Sequence, residues 1–324
     1  MSDFYFLTSP SNDPYFNLAS EEYLLKQKDG YYIYLWINSP AVIIGSNQNT
    51  LLEVNLKNAE SKNVKIVRRM TGGGAVYHDL NNICYSVIAP YSSEENNYVK
   101  FTSPVIEFLN SIGVKAEFTG RNDVSIDGKK ISGNAQVIYK DRILHHGTLL
   151  FNTDLNVLGD VLIENKLKTQ SKGVKSIRAR VTNIKDNLKN PLTCKEFFDA
   201  LSSYFKKDLK EYSFTENDIA SINTLAQNKY STYEWNIGYS PKGSVRFDGR
   251  FDFGTLTLTF DLIDGIISNI EMFGDYFANG NVNELISKLN GKKFIKEEVE
   301  NTIKDINLYI KGANAKEIVE KLFS

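Results

Sequence analysis

Two arginines and three consecutive glycines form the segment of this sequence best suited to bind an anion. Residues 68–79 read RRMTGGGAVYHD. Three glycines let the backbone approach a ligand closely and present N–H groups to it, and arginine supplies paired donors for phosphate or carboxylate. The segment matches neither of the common nucleotide-loop patterns, GxxxxGK[ST] and GxGxxG. An ordinary glycine-rich turn with a basic rim therefore stays open at this point.

The distribution of arginine marks the same region of the chain. The sequence has 8 arginines against 30 lysines, and six of the arginines fall between positions 68 and 180, as do all three histidines. Arginine is not interchangeable with lysine where its fork geometry matters. In a chain so biased toward lysine, this clustering indicates a site, although structural ion pairs also use arginine.

Three further segments carry side chains that can do chemistry. Residues 120–123 (GRND) can bind a nucleotide or Mg²⁺, or form a plain polar turn. Residues 129–135 (KKISGNA) can bring a fixed positive charge to a developing phosphate charge. Residues 145–150 (HHGTLL) lie on a predicted strand, where His145 and His146 must point to opposite faces. At most one of these two histidines can therefore face the site.

The cysteine and histidine content argues against a zinc site. Only Cys84 and Cys194 are present, and the three histidines form no HExxH pattern. Cys84 lies between two apolar residues and is most simply a small core residue. A nucleophile–base pair between Cys84 and a histidine stays open.

Taken together and in order, these motifs resemble the lipoate–protein ligase family. Its pattern RRxTGGGAVxHDxGNxxxS fits residues 68–86, and residues 120–123, 130–133, 141–150 and 176–183 also fit. Two positions depart from the family: Asn81 stands where glycine is usual, and Gln136 where some relatives carry an aromatic residue. Asparagine tolerates a positive φ better than most residues, so we expect the same turn at Asn81.

The resemblance implies an α+β fold with a large mixed-sheet catalytic domain of the biotin/lipoate ligase type and a small C-terminal α+β domain. It implies ATP-dependent activation of lipoate to lipoyl-AMP and transfer of the lipoyl group to a lysine of a lipoyl domain. The expected acceptors are 2-oxoacid dehydrogenase E2 subunits and the glycine cleavage H protein. The expected small molecules are lipoate and ATP with Mg²⁺, with neither zinc nor a prosthetic group.

The resemblance also implies roles for individual residues. The family's invariant lysine falls on Lys130, not on Lys129, and is expected to be catalytic. Asp123 is a possible Mg²⁺ ligand. The residues expected to bind ATP or lipoyl-adenylate are Arg69, Thr71, Gly72, Gly73, Gly74, Ala75, Val76, Tyr77, Asn122, Asp123, Lys130, Ala135, His146 and Gly147.

Two other functions compete with the ligase. An octanoyl- or lipoyl-transferase of the same superfamily moves an acyl group between carrier proteins without ATP, through a cysteine thioester. It would need a reactive cysteine near Lys130, and Cys84 is the only nearby candidate. A non-catalytic module that binds carrier proteins is the second alternative. An intact Lys130 and glycine loop argue against the module, and the C-terminal domain favours the ATP-using ligase.

Length and charge limit the remaining possibilities. The chain has 324 residues, which suggests about two domains, and a formal net charge of −1, which excludes a broad nucleic-acid-binding surface. It shows neither a signal peptide nor a membrane-spanning run, so a cytoplasmic location is expected. We expect a catalytic domain at 1–237, a linker at 238–243 and an accessory domain at 244–324.

Hydrophobic patterns predict the elements that position these motifs. Proline in the first turn predicts a helix that begins near Asn12 and runs to about Lys26. The predicted strands arrive mostly as hairpins, which argues against a doubly wound parallel sheet. Strands are predicted at 31–37, 41–44, 64–68, 82–89, 114–118, 124–126, 131–139, 143–151, 255–262 and 266–273. Further helices are predicted at 51–61, 98–112, 155–166, 194–209, 215–229 and near 315–322. The tyrosine-rich strands at 31–37 and 41–44 are expected to line an apolar slot.

Overall fold

The computed structural model describes residues 4–48, 50–93, 97–162, 180–207, 209–236, 245–263 and 266–323. The strands in this part of the chain are β1 (Phe4–Thr8), β2 (Tyr31–Ile37), β3 (Ala41–Ile44), β4 (Lys65–Arg68), β5 (Val76–His78), β6 (Asn82–Pro90), β7 (Glu117–Thr119), β8 (Asp123–Ile126), β9 (Lys129–Tyr139), β10 (Arg142–Leu150), β11 (Lys210–Glu211), β12 (Val245–Phe251), β13 (Gly254–Ile263) and β14 (Ile266–Gly274). The α-helices are α1 (Pro14–Gln27), α2 (Thr50–Glu53), α3 (Leu56–Ser61), α4 (Asn97–Ser111), α5 (Leu155–Val161), α6 (Cys194–Lys206), α7 (Glu216–Leu225), α8 (Tyr233–Asn236), α9 (Val282–Leu289), α10 (Lys296–Thr302) and α11 (Ala315–Leu322).

An eight-stranded mixed sheet forms the centre of the larger part of the molecule. Its strand order is β11-β1-β2-β6-β10-β9-β8-β7. β1 pairs in parallel with β2 and β11, whereas the pairs from β2 to β7 are antiparallel. The second sheet, β4-β3-β5, carries the start of the glycine segment. This architecture confirms the α+β fold and the predicted hairpin β9–β10.

Helix α1 begins where the sequence predicts it. The Asp13 side chain accepts a hydrogen bond from the backbone N–H of Tyr15, and Pro14 occupies the first turn, where its missing N–H is harmless. Most of the helix surface is buried, including the carboxylates Glu21 and Glu22. This burial on nearly all sides brings Glu21 into contact with the main sheet.

Some elements differ from their predictions. The helix predicted at 51–61 is two short helices, because Val54 pairs with Leu162 and Asn55 then caps a new start at Leu56. The strand predicted at 114–118 begins only at Glu117. The helix predicted at 215–229 ends as α7 at Leu225 and continues as one π-helical stretch, Ala226–Tyr230. Strands β1, β5, β11 and β12 were not expected.

Residues after position 245 pack around an apolar core of their own. β12, β13 and β14 form an antiparallel sheet, and its apolar face packs against α9, α10 and α11. Phe260, Tyr276 and Ile310 are among its fully buried side chains. The predicted linker at 238–243 lies outside the described residues, so the domain boundaries stay predictions.

The longest helices of the described chain fall short of a membrane span. α4 has 15 residues and α1 has 14, whereas a bilayer requires about 20 apolar residues. In the part of the chain that the structure describes, no helix is long and apolar enough to cross a membrane.

Candidate active site

A cavity of about 120 Å³ lies between the main sheet and the glycine segment. Its wall combines residues from α1, the two larger-domain sheets and the loop after β4. The predicted site residues on this wall are Arg69, Gly73, Gly74, Ala75, Val76, Asn122, Lys130, Ala135, His146 and Gly147. Segments that are far apart in the sequence are thus brought to one place.

Arg69 fixes the shape of the glycine loop. Its guanidinium donates to Thr71 Oγ1 at 2.9 Å, to the Ile43 carbonyl at 3.1 Å, and to the carbonyls of Gly72 and Gly74 at 2.6 and 2.9 Å. All four acceptors are neutral oxygens. Burial lowers the pKa of Arg69 to about 10, so the side chain stays charged at neutral pH. The loop therefore encloses a buried positive charge, which the nearby Glu21 carboxylate also stabilises and which an anion in the cavity would stabilise further.

Arg68, unlike Arg69, lies away from the cavity. It donates to the carbonyls of Gly45, Gln48 and Trp235, and it does not line the cavity. This side chain ties the second sheet to the loop after β3 and to α8. Of the arginine pair in the motif, only Arg69 faces the cavity.

A chain of buried hydrogen bonds connects the glycine loop to α1. Because Thr71 Oγ1 already accepts a bond from Arg69, we assign its hydroxyl as the donor to His146 Nε2, at 2.8 Å. His146 Nδ1 lies 2.8 Å from the Glu21 carboxylate, which also accepts a 2.6 Å bond from Ser86. The Ser86 hydroxyl in turn accepts from the Trp36 indole at 2.8 Å. This network fixes the orientation of two wall residues, Trp36 and His146.

Part of the cavity wall is apolar. Leu18, Trp36 and Ile43 form it, together with Val76. The prediction that strands β2 and β3 supply an apolar lining is therefore correct for the strands. It is wrong for the tyrosines: Tyr34 is fully buried and donates to Asn17 of α1.

Cys84 and His78 also lie on this wall, but neither is set up as a nucleophile or a base. The Cys84 Sγ is 3.6 Å from His78 Nδ1, and the amide of Asn38 lies 3.1 Å from the same nitrogen. Burial raises the pKa of the Cys84 thiol well above its ordinary value. Burial, with repulsion from the Arg69 charge, lowers the pKa of His78 to about 3. Both groups are neutral at pH 7, so a thiolate–imidazolium pair is disfavoured.

Lys130 contributes a second positive charge to the cavity wall. Its ammonium lies 2.8 Å from the Asp123 carboxylate, and its backbone carbonyl accepts from Thr182 N–H at 3.0 Å. Lys129, the preceding residue, is exposed and does not line the cavity. The geometry therefore favours Lys130 over Lys129.

Two asparagines shape the wall next to Lys130. Asn122 and Asn134 exchange side-chain-to-backbone hydrogen bonds of 2.6 and 3.0 Å, and Tyr85 donates to Asn134 Oδ1 at 2.5 Å. A Cβ on Gly147 would lie 2.1 Å from Asn134 Oδ1 and 2.6 Å from the Tyr85 ring. Glycine at 147 is thus required for this arrangement.

Four predicted site residues do not line the cavity. Thr71 and Gly72 lie behind it as partners of Arg69, and Asp123 lies beside it as the partner of Lys130. The Tyr77 side chain faces away and packs in the apolar cluster around β3, where burial raises its pKa to about 12. The last predicted motif, 176–183, lies outside the described residues up to position 179.

Several other residues of the cavity wall were not identified from the sequence as site residues. Leu18, Gly133, Asn134 and Thr148 line the cavity. Gly133, Asn134 and Thr148 lie inside motifs that were recognised, so the motifs already indicated this region of the chain. Leu18 lies on a helix with no motif of its own, and only the packing of α1 reveals it.

The C-terminal part of the chain reaches the glycine loop. The Arg121 guanidinium lies 4.3 Å above the Phe277 ring and donates to the Phe253 carbonyl at 2.5 Å. The Gly73 N–H donates to the Tyr276 carbonyl at 3.4 Å. The glycine loop and Arg121, which precedes the wall residue Asn122, therefore both contact the C-terminal part of the chain.

Comparison with known proteins matches two family models to most of the chain. Residues 13–206 match the family model for the lipoyl protein ligase A/B catalytic domain, and residues 240–322 match that for the bacterial lipoate protein ligase C-terminus. The chain is 40% identical to a lipoate-protein ligase, LplJ, of Bacillus subtilis over 305 residues, which are 92% of each chain.

Two solved structures resemble it as well. LipL1 of P. falciparum in complex with lipoate has a TM-score of 0.79 and 27% identity, over 99% of this chain and 98% of that one. A lipoate-protein ligase A bound with ATP has a TM-score of 0.63 and 29% identity, over 74% of this chain and 99% of that one. With both family domains present in order, this chain belongs to the lipoate–protein ligase family.

Proposed function

We propose that this chain is an ATP-dependent lipoate–protein ligase. In the first step the lipoate carboxylate attacks the α-phosphate of ATP, which gives lipoyl-AMP and releases pyrophosphate. In the second step a lysine amine of an acceptor protein attacks the acyl carbonyl, which forms an amide and releases AMP. The observation that carries the proposal is a single cavity whose wall combines apolar side chains with the cations Arg69 and Lys130.

The apolar part of the cavity wall suits the dithiolane ring and alkyl chain of lipoate. Leu18, Trp36 and Ile43 offer aliphatic and aromatic surface, and the buried network behind Trp36 holds its ring in place. Binding sites for small molecules are typically lined by apolar groups with a few well-placed polar ones. A carboxylate at the other end of the alkyl chain would then point toward Lys130.

The cationic side chains of the cavity wall suit the reacting carboxylate and phosphate, which repel each other. Lys130 can place its ammonium between them, and the buried charge of Arg69 adds a favourable field. The backbone of Gly73, Gly74 and Ala75 lies on the same wall and can approach a phosphate closely. Because AMP is the leaving group in the second step, no protein nucleophile is required.

Magnesium fits this site as a companion of ATP. Among the described residues, no group of three or more histidine, cysteine or acidic side chains is arranged to hold a metal ion. Mg²⁺ commonly takes one or two carboxylates and fills its other positions with phosphate oxygens and water. Asp123 is the candidate protein ligand, and the bound ion would neutralise charge on the triphosphate.

The proposed acceptors are lipoyl domains, namely E2 subunits of 2-oxoacid dehydrogenases and the glycine cleavage H protein. One structural relative, from Thermoplasma acidophilum, is a bipartite lipoate protein ligase described together with its E2 lipoyl domain. That relative supports a lipoyl domain as the partner without naming which one this chain modifies. Nucleic acid and membranes are not proposed as partners, and a cytoplasmic location stays a prediction.

The ATP-independent transferase is the second candidate, and the state of Cys84 argues against it. A transferase of this type needs a thiolate to form the thioester. Cys84 is 1% exposed, and burial raises its pKa, so the neutral thiol predominates. The position of Cys84 on the cavity wall is the observation that keeps the alternative open to test.

Release of pyrophosphate tests the proposal. Enzyme with Mg-ATP should release pyrophosphate only when lipoate is added, and AMP should follow when a lipoyl domain is supplied. Acyl transfer from an octanoylated carrier protein at the same rate without ATP would support the transferase instead.

A further inference from the structure

A β-bulge determines where the Lys130 side chain points. Along the β8–β9 pair, Asp123 lies opposite Gly133, whereas Ser125 lies opposite Lys130, and the register shifts between them at Ile131. In a regular strand, positions 130 and 133 would face opposite sides of the sheet, because they are three residues apart. The bulge puts Lys130 on the face that carries Asp123 and Gly133.

Two distances place the ammonium on this face. The Lys130 Nζ lies 2.8 Å from Asp123, and a Cβ built on Gly133 would lie 2.6 Å from the same nitrogen. The backbone of Lys130 is fixed by its bridge to Val181. The lysine is thus anchored at its backbone and held at its tip by a carboxylate.

We propose that Asp123 is a positioning residue, which holds Lys130 beside the cavity in the free enzyme and releases it when the anionic substrates bind. This inference rests on the proposed function, in which Lys130 stabilises the first step. The side chains of the pair are 33% and 36% exposed. Ion pairs open to solvent are weak, so a bound carboxylate and phosphate can take the ammonium from Asp123.

The ion pair between Lys130 and Asp123 should affect lipoate binding and adenylate formation in opposite ways. Asp123 competes with substrate anions for the ammonium, so its removal should not weaken lipoate binding. It also limits the positions that a long, flexible side chain can take. Its removal should therefore slow adenylate formation, because misplaced catalytic groups are costly in rate.

A double-mutant cycle separates positioning from a general structural role. The variants are Asp123→Asn, Lys130→Ala and the double variant, and Asp127→Asn in the exposed turn of the same hairpin is the charge-matched control. Adenylate formation is measured in single turnovers with enzyme in excess, and lipoate affinity by calorimetry without ATP. We expect Asp123→Asn to slow the reaction by about tenfold or more, with lipoate bound at least as tightly. In the Lys130→Ala background the same change should have no further effect, and Asp127→Asn should match the wild type.

Three results would overturn the inference. Asp123→Asn could react at the wild-type rate, or it could lose the same factor with and without Lys130. Its loss could also be recovered in full by raising the Mg²⁺ concentration, which would show that Asp123 acts only as a metal ligand and does not position Lys130. If instead Lys130→Ala itself kept the wild-type rate, the proposed role of the lysine in the function would fail.

Discussion

Lys130 is the residue with which the proposed chemistry is most directly tested. Lys130→Ala should keep the fold, because the side chain is partly exposed and its backbone contacts remain. Loss of one preorganised charged donor should slow lipoate-dependent pyrophosphate release by about 10²–10³. Lys129→Ala is the matched control, since that neighbouring lysine is exposed. A reversed result, with Lys129 essential and Lys130 dispensable, would contradict the assignment.

Cys84 tests the choice between ligase and transferase. Cys84→Ser should keep ligase activity within a few-fold, because the adenylate route uses no thiol and the Cys84 pKa is raised by burial. The assay is lipoylation of an acceptor domain, with unfolding followed in parallel, since the site is buried and packed. A folded variant that lost acyl transfer, together with a trapped thioester in the wild type, would favour the transferase.

At the scale of elements, the bulged strand β9 offers a change that separates folding from function. In Gly133→Ala the new Cβ would meet the end of the Lys130 side chain, at 2.6 Å from Nζ. A flexible tip can move aside, so we expect near wild-type thermal stability but slower adenylate formation. In Gly147→Ala the new Cβ meets the fixed groups of Asn134 and Tyr85, so that variant should lose stability. Equal effects of the two changes on the melting temperature would contradict this distinction.

The hairpins and local motifs could be predicted from the sequence, but contacts between distant elements could not. The pairing of β9 with β10 follows from two predicted strands joined by a short turn. The bond between Glu21 and His146 joins residues 125 positions apart and leaves no periodic signal in either segment. Likewise the motif did not reveal that Arg68 ties backbone carbonyls together while Arg69 lines the cavity.

At the scale of the whole molecule, the C-terminal part of the chain contributes a contact beside the site. Phe277 is 4% exposed and packs against Tyr98 and Ala135 as well as Arg121. Phe277→Ala should loosen this contact and slow adenylate formation more than transfer from supplied lipoyl-AMP, since the glycine loop lies beside it. Leu308→Ala is the control, because Leu308 lies in the same C-terminal part of the chain and is largely exposed. A Phe277→Ala protein impaired only in transfer would show that the contact serves the second step.

Mass spectrometry of an acceptor domain tests the central claim most directly. A lipoyl domain is incubated with the enzyme and lipoate, with and without Mg-ATP, and in parallel with an octanoylated carrier protein in place of both. We predict that the acceptor gains one lipoyl group on a single lysine only when lipoate and ATP are both present. Modification from the carrier protein without ATP, with none from lipoate and ATP, would contradict the account.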